Sequence, residues 1–257
     1  MCEFNLDEFR ARRVSQVVGA YSHVDIKNGW AEVVIDRPDR RNSLVPPLFA
    51  ELTTAFRSLS DNTSIAAIIL RGAEGYFCSG IDLKALQDAP PEWQQLPDGS
   101  ARAMHLALYH CQVPVIMALE RFAINAGASL ALAGDLIVAG DSAFLQIGEI
   151  QQGVGIPMNA AWLKIKTTEQ VAARLALLGD RVTSAELTSL GLVNEVVPDD
   201  QVVARCRELA EKIAEFPTGA SRTIKAALVS QRGIDDPESF FPSPANSGLM
   251  SARLLNK

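Results

Sequence analysis

Apolar residues in this chain fall into short continuous runs separated by stretches with helical spacing. Runs at residues 30–36, 66–71, 115–119, 136–139 and 192–197 have the length and composition of buried strands. After residue 199 this pattern ceases, and residues 202–216 and 220–229 predict two helices separated by Pro217. Strands alternating with helices, and then helices alone, predict the α/β fold class with a helical C-terminal region.

Helices between these strands are predicted by apolar residues that recur every three or four positions. Thr183 and Glu186 add a capping-box pattern at the start of a short helix that stops before Gly191. The apolar positions with the clearest helical spacing are Leu48, Leu52, Phe56 and Leu59, and later Val171, Leu175 and Leu178.

Two turns that follow predicted strands carry the clearest functional signal. The first spans residues 73–83 and the second spans residues 120–131, where Ala126, Gly127 and Ala128 leave the backbone open to a ligand. A turn that joins a strand to a helix presents unpaired N–H groups at the start of the helix. Two such groups from separate turns can converge on one oxygen and stabilise negative charge on it during a reaction.

The order and spacing of several motifs resemble the crotonase (enoyl-CoA hydratase/isomerase) superfamily. The first turn carries Phe77-x-x-Gly80-x-Asp82-Leu83, and the second carries Ala123-x-x-Ala126-Gly127. The supporting motifs lie in the expected order at residues 36–44, 144–153, 179–185 and 191–197. The resemblance covers roughly residues 31 to 227, and the ordered set carries it rather than any single motif.

The resemblance implies a fold and a domain organisation. It implies a crotonase-like spiral of ββα units at residues 21–197 and a helical region at residues 198–257 that builds a trimer, often paired into a hexamer. Residues 1–20 form an extension outside the family match. The usual C-terminal segment of the family is absent, and Pro237, Pro242 and Pro244 interrupt the last helix.

Composition narrows the classes of partner and compartment. The chain has 257 residues, a formal net charge of −6, four scattered cysteines and three histidines. This acidic balance argues against nucleic acid or an anionic membrane as the main partner. The sequence shows no membrane-spanning run, signal peptide or metal-ligand spacing, so we expect a reduced cytoplasmic chain with no metal site.

The resemblance also assigns the candidate catalytic groups. The backbone N–H groups of Ile81 and Ala126 would form the oxyanion hole for a thioester carbonyl. Family hydratases carry two glutamates; here the later one is matched by Glu149, whereas the earlier one is replaced by Ser129. A single buried carboxylate can move a proton from one carbon to another. Isomerisation of an enoyl-CoA is therefore favoured over hydration.

Further residues are candidates for binding the substrate. Glu120 is a weaker candidate for a second carboxylate, because its place at a strand end favours an ion pair with Arg121. The family usually has Pro-Gly-Ala-Gly-Gly where this chain has residues 156–160, so the bulky Met158 would reshape the acyl pocket. Coenzyme A enters as part of the substrate and no separate cofactor is expected. The candidate groups for binding coenzyme A are Arg40, Arg41, Ser79, Lys84 and Lys225.

Three other functions stay open on the sequence alone. The site could decarboxylate or dehydrate a specialised acyl thioester. Ser129 could act as a nucleophile in thioester hydrolysis, although no histidine and carboxylate spacing supports a triad. The loss of one glutamate and of the usual C-terminal segment could also mark a binder of acyl-CoA that has no catalytic activity.

Overall fold

The computed structural model describes residues 16–96 and 99–241. Most of the N-terminal extension and all of the tail after Phe241 lie outside the described residues. The strands are β1 Gln16–Val18, β2 Ser22–Ile26, β3 Trp30–Ile35, β4 Ala67–Gly72, β5 Val115–Leu119, β6 Phe122–Ile124, β7 Leu136–Gly140, β8 Phe144–Gln146, β9 Arg181–Thr183 and β10 Glu195–Val197. The helices are α1 Pro46–Asp61, α2 Leu83–Gln87, α3 Ala101–His110, α4 Ala126–Leu132, α5 Pro157–Lys166, α6 Glu169–Leu178, α7 Ser184–Ser189, α8 Val202–Ala214, α9 Ala220–Ser230 and α10 Pro237–Phe240.

A seven-stranded sheet in the order β1-β2-β3-β4-β5-β7-β10 forms the centre of the fold. The first three strands pair antiparallel, and the pairs from β3 to β10 are parallel. Parallel strands have helices on both faces, and their sequences are therefore apolar throughout. On β4, Ile68 and Leu70 belong to the main core, whereas Ala67 and Ile69 belong to a smaller core with Cys206 of α8.

A second sheet of three strands, in the order β6-β8-β9, lies beside the segments with the candidate site residues. β6 and β8 are parallel, and Ile124 pairs with Gln146 at their last residues. The chain leaves both strands at the same edge of the sheet. α4 therefore begins beside the turn that contains Glu149, although the two segments are far apart in sequence.

All five predicted strands are present, and β10 is the one that differs most from its prediction. It pairs only from Glu195, because the amides of Leu192 and Val193 donate to Leu187 O in the turn after α7. The capping box at Thr183 and Glu186 is confirmed. Strands β6, β8 and β9 were not predicted, since each has only three residues and depends on its partner for its conformation.

The two long C-terminal helices differ in what their apolar side chains contact. The apolar face of α8 does not need a partner chain, because Val202, Cys206 and Ala210 are buried against the central sheet. Large apolar side chains that stay exposed in this region include Phe216, after α8, and Ile224 and Leu228 of α9. Within residues 16–96 and 99–241, no helix has both the length and the hydropathy needed to cross a membrane.

Candidate active site

The first turn holds the amide of Ile81 free of hydrogen bonds to the described chain. Leu44 pairs with both neighbours of Ile81, since its N–H donates to Gly80 O at 2.8 Å and its carbonyl accepts from Asp82 N at 3.0 Å. The N–H of Ile81 therefore points away from Leu44. An ion pair between Arg37 and Asp82, 3.1 Å long and largely buried, holds the turn in place.

The second turn leaves the amide of Ala126 equally unpaired within the described residues. Ala126 is the first residue of α4, so its N–H precedes the first intrahelical hydrogen bonds. The preceding residue, Asn125, has φ 53° and ψ −113°, a conformation that non-glycine residues rarely adopt. Its carbonyl accepts from the amides of Ala128 and Ser129, which fixes the start of the helix.

Two glycines allow the two turns to pack against each other. Gly80 has φ 95°, and a Cβ there would lie 2.8 Å from Ile124 O and 3.7 Å from Ala126 N. A Cβ on Gly127 would lie 2.5 Å from Cys78 O. The backbones therefore meet without intervening side chains. Two unpaired N–H groups on these turns are suited to receive one ligand oxygen.

Glu149 lies in the turn after β8, next to the start of α4, and is 9% exposed. One carboxylate oxygen, Oε1, accepts a hydrogen bond from Asn159 Nδ2 at 3.0 Å. The other oxygen, Oε2, is buried and has no partner among the described residues. Burial raises the pKa of Glu149 to about 6, while the hydrogen bonds from its own amide and from Asn159 act in the opposite direction. The group can therefore accept and return a proton near neutral pH.

The substitution Glu149→Gln is expected to make the free energy of unfolding less sensitive to pH. The pKa rises from 4.5 in the unfolded chain to about 6 in the folded chain, so ionisation of Glu149 disfavours folding as the pH rises through this range. The stability of Glu149→Gln relative to the parent chain should increase by about 2 kcal/mol between pH 4 and pH 8. Urea denaturation at the two pH values measures this difference.

Glu186→Gln is the matched control, because its pKa shift has the opposite sign. Hydrogen bonds from Thr183 hold the pKa of Glu186 below its usual value, so this carboxylate favours folding above its unfolded pKa. The relative stability of Glu186→Gln should therefore fall between pH 4 and pH 8. A Glu149→Gln variant whose relative stability does not change with pH would contradict the raised pKa of a buried Glu149 carboxyl.

Ser129 is committed to a buried chain of hydrogen bonds that sequence reasoning missed. Trp162 Nε1 donates to His105 Nδ1 at 3.0 Å, and His105 Nε2 lies 3.2 Å from Ser129 Oγ. Tryptophan can only donate, so Nδ1 accepts and the proton of the neutral ring lies on Nε2. Burial lowers the pKa of His105 to about 3, which keeps the ring neutral. Ser129 then donates to Ala126 O at 2.8 Å.

This proton arrangement opposes a nucleophilic role for Ser129. His105 Nε2 donates to the serine and cannot remove its proton. The buried thiol of Cys78 is also unreactive, because burial raises its pKa to about 12.

The expected ion pair between Glu120 and Arg121 does not form. Arg121 instead lies over the ring of Tyr76 and donates to its hydroxyl. Glu120 Oε2 is buried without a partner among the described residues, and burial raises the pKa of this carboxyl.

The structure brings together most of the residues predicted to bind coenzyme A. Arg40 and Arg41 are exposed, and their carbonyls accept hydrogen bonds from Oγ and N of Ser79, respectively. Lys84 is exposed on α2, just after the first turn. These groups therefore lie around the same turn as Ile81.

Lys225 was predicted to bind coenzyme A with these residues, but the structure does not bring it to the first turn. Its ammonium is buried and donates to Val113 O at 2.9 Å and to Asp135 at 2.6 Å. It attaches α9 to the end of the central sheet. Met158 is buried in the first turn of α5, beside Asn159. In the described part of the chain, no cluster of His, Cys, Asp and Glu side chains could hold a metal ion.

The comparisons with known proteins show the family to which this chain belongs. Residues 25–239 match the family model described as enoyl-CoA hydratase/isomerase, and the chain belongs to this family. It is 31% identical to an enoyl-CoA hydratase of Mycobacterium tuberculosis, with 81% of this chain and 80% of the relative covered. It is 28% identical to 1,2-epoxyphenylacetyl-CoA isomerase of Escherichia coli, with 81% of each covered.

The crotonase fold is shown by solved structures as well. An enoyl-CoA hydratase/isomerase from Xanthobacter autotrophicus superposes with a TM-score of 0.75 at 29% identity, covering 83% of this chain and 80% of that one. The chain is therefore an enzyme of the enoyl-CoA hydratase/isomerase family. Hydratases and isomerases match at similar identity, so the reaction has to be argued from the site.

Proposed function

We propose that this enzyme isomerises the double bond of an enoyl-CoA thioester and that Glu149 is its single acid/base group. The unpaired N–H groups of Ile81 and Ala126 bind the carbonyl oxygen of the thioester. The observation that carries the proposal is the carboxylate of Glu149, of which one oxygen is held by Asn159 and the other is buried without a partner in the described part of the chain. Such an oxygen is suited to take a proton from the carbon next to the carbonyl.

The reaction needs one group that accepts a proton and then returns it. In a 3-enoyl-CoA, Glu149 takes a proton from C2, and the electrons of that bond form the enolate, whose oxygen is stabilised by the two N–H groups. The protonated Glu149 then returns the proton to C4, and the double bond lies between C2 and C3. The atoms balance without water or a cofactor.

Hydration is less well supported because the neighbouring polar groups are already committed. Ser129 receives a hydrogen bond from His105 and donates to Ala126 O. It therefore offers no second acid/base group. Hydrolysis through Ser129 also lacks a base, because His105 Nε2 carries the proton and donates to the serine.

Incubation with 2-enoyl-CoA and 3-enoyl-CoA substrates of several lengths in D₂O tests the proposal. Interconversion of the two isomers, with deuterium at C2 or C4 and no added oxygen, is expected. A 3-hydroxyacyl-CoA product would identify a hydratase, and free acid with free CoA a thioesterase. Binding of acyl-CoA without any turnover would identify a binder that has no catalytic activity. Each of these outcomes contradicts isomerisation.

Binding of the coenzyme A portion is assigned to the first turn. Arg40, Arg41 and Lys84 are exposed cations that can neutralise phosphate groups. Ser79, two residues before Ile81, donates hydrogen bonds to the carbonyls of Arg40 and Arg41. The buried Lys225 is not included.

We expect the chain to assemble as a trimer or hexamer, because the resemblance to the family implies it. Ile224 and Leu228 of α9 leave apolar surface exposed that such an assembly can bury. Light scattering at micromolar concentration should give a multiple of three chains. The double substitution Ile224→Glu and Leu228→Glu should lower the measured mass of the assembly by disrupting the contact between chains. A monomeric parent chain would contradict the assembly, and an unchanged mass in the double variant would contradict the role of α9.

A further inference from the structure

The side-chain amide of Asn159 lies between the two halves of the proposed active site. Asn159 is in the first turn of α5 and is 2% exposed. Its Nδ2 donates to Glu149 Oε1 at 3.0 Å and to Asn125 O at 3.0 Å. An amide nitrogen carries two hydrogens, so both are used. One group therefore contacts the carboxylate and the turn that precedes Ala126.

The bond to Asn125 O acts on the peptide group that contains the N–H of Ala126. The carbonyl of Asn125 and the amide of Ala126 belong to one planar unit, so fixing the carbonyl also fixes the direction of the N–H. A hydrogen bond to the carbonyl also polarises the N–H at the other end of the unit. Asn125 has an unfavourable φ of 53°, and such a conformation persists only where surrounding contacts hold it.

The bond to Glu149 decides which carboxylate oxygen is available. Because Asn159 holds Oε1, the oxygen without a partner is Oε2. A donor to the carboxylate also favours its ionised form, against the effect of burial. No other side chain of the described residues hydrogen-bonds this carboxylate, and no charged side chain among them contributes to its pKa shift.

Other hydrogen bonds hold the same turn but do not contact the carboxylate. Gly148 N donates to Asn125 Oδ1 at 2.8 Å, Asn125 N donates to Gln146 O at 2.8 Å, and Asn125 O also accepts from the amides of Ala128 and Ser129. Among the described residues, Asn159 is the side chain that hydrogen-bonds both Asn125 and the carboxylate of Glu149.

We propose that Asn159 is a positioning residue that sets the orientation of Glu149 and of the Ala126 N–H together. The proposal rests on the proposed function, because it assumes that both groups act on one thioester. Asn159 does not touch the reacting atoms. It keeps the base and the carbonyl-binding amide in a fixed relation.

Asn159→Leu tests this, because leucine has a similar volume but donates no hydrogen bond. In the full-length enzyme, kcat should fall about 10- to 100-fold with a smaller change in KM, since the loss affects orientation and proton transfer rather than binding. The acid limb of the kcat/KM profile should move upward by about one pH unit, because the carboxylate loses its donor. Asn159→Gln keeps the donor and should restore part of both losses.

Asn194→Ala is the structural control. Asn194 also uses its side chain to hold a backbone, since its Oδ1 accepts from Ile137 N at 2.8 Å, but it is not part of the proposed site. This variant should lose stability without moving the acid limb. If Asn159→Leu does not fold, Asn159→Ala is measured in the same way, with circular dichroism to check the fold.

A measurement without substrate separates this proposal from the proposed function. The carboxyl carbon of Glu149 is followed by ¹³C NMR during a pH titration, and its signal is assigned by its loss in Glu149→Gln. A higher titration midpoint in Asn159→Leu supports the contact between Asn159 and Glu149 even if the parent enzyme acts on no enoyl-CoA. In that case the proposed isomerase function is wrong, but the role of Asn159 toward Glu149 is not. An unchanged midpoint and an unchanged acid limb would overturn the role of Asn159.

Discussion

Glu149→Gln is expected to lower the exchange of the substrate C2 proton about 10²- to 10⁴-fold, the usual contribution of a general acid/base group. Glutamine keeps the size of the side chain and can still meet Asn159, but it cannot accept a proton from carbon. The loss should appear in kcat, with binding of acyl-CoA retained. Deuterium exchange at C2, followed by NMR, and calorimetric binding measure the two effects separately.

Ser129→Ala is the matched control for this prediction. Ser129 is also a buried polar residue, in the first turn of α4, but its hydroxyl is engaged with His105 and Ala126 O. Its removal should change the exchange rate less than tenfold. If Ser129→Ala abolished exchange while Glu149→Gln retained it, the acid/base assignment would have to move to the serine.

Ala126→Pro is expected to lower turnover about 10²- to 10³-fold, in line with the loss of one donor from an oxyanion hole. Proline has no N–H, and the first position of a helix is where its ring is best tolerated. The carbonyl oxygen of the substrate would keep only the N–H of Ile81. Steady-state kinetics on the same enoyl-CoA substrate measures the loss.

Ala126→Gly is the control, because it removes the methyl group but keeps the N–H. It should retain most of the activity. The residue before a proline is conformationally restricted, and Asn125 is already strained, so circular dichroism and thermal unfolding of Ala126→Pro must accompany the kinetics. A folded Ala126→Pro variant with normal turnover would refute the assignment of this amide.

The central strands were predictable because helices cover both faces of the sheet and make each strand apolar throughout. β5 has the predicted limits, Val115–Leu119, for this reason. The two candidate turns and Glu149 were predictable from ordered motifs, which preserve backbone geometry. The three-residue strands that bring these turns together have no comparable signal, because only their pairing defines them.

The hydrogen-bond partners within the site could not be read from the sequence. His105, Ser129 and Trp162 belong to three different helices, and their spacing follows no local rule. Asn159 was visible only as a departure from the family motif. Lys225 was misassigned because its partner, Asp135, is 90 residues away and the burial of this pair depends on the packing of α9.

The most direct test is a crystal structure of Glu149→Gln with a bound enoyl-CoA. We expect the thioester carbonyl oxygen to lie within hydrogen-bond distance, about 2.7–3.1 Å, of both Ile81 N and Ala126 N. We also expect C2 of the substrate to face the side chain at position 149. A thioester bound away from the two amides, or with C2 directed away from position 149, would contradict the proposed site.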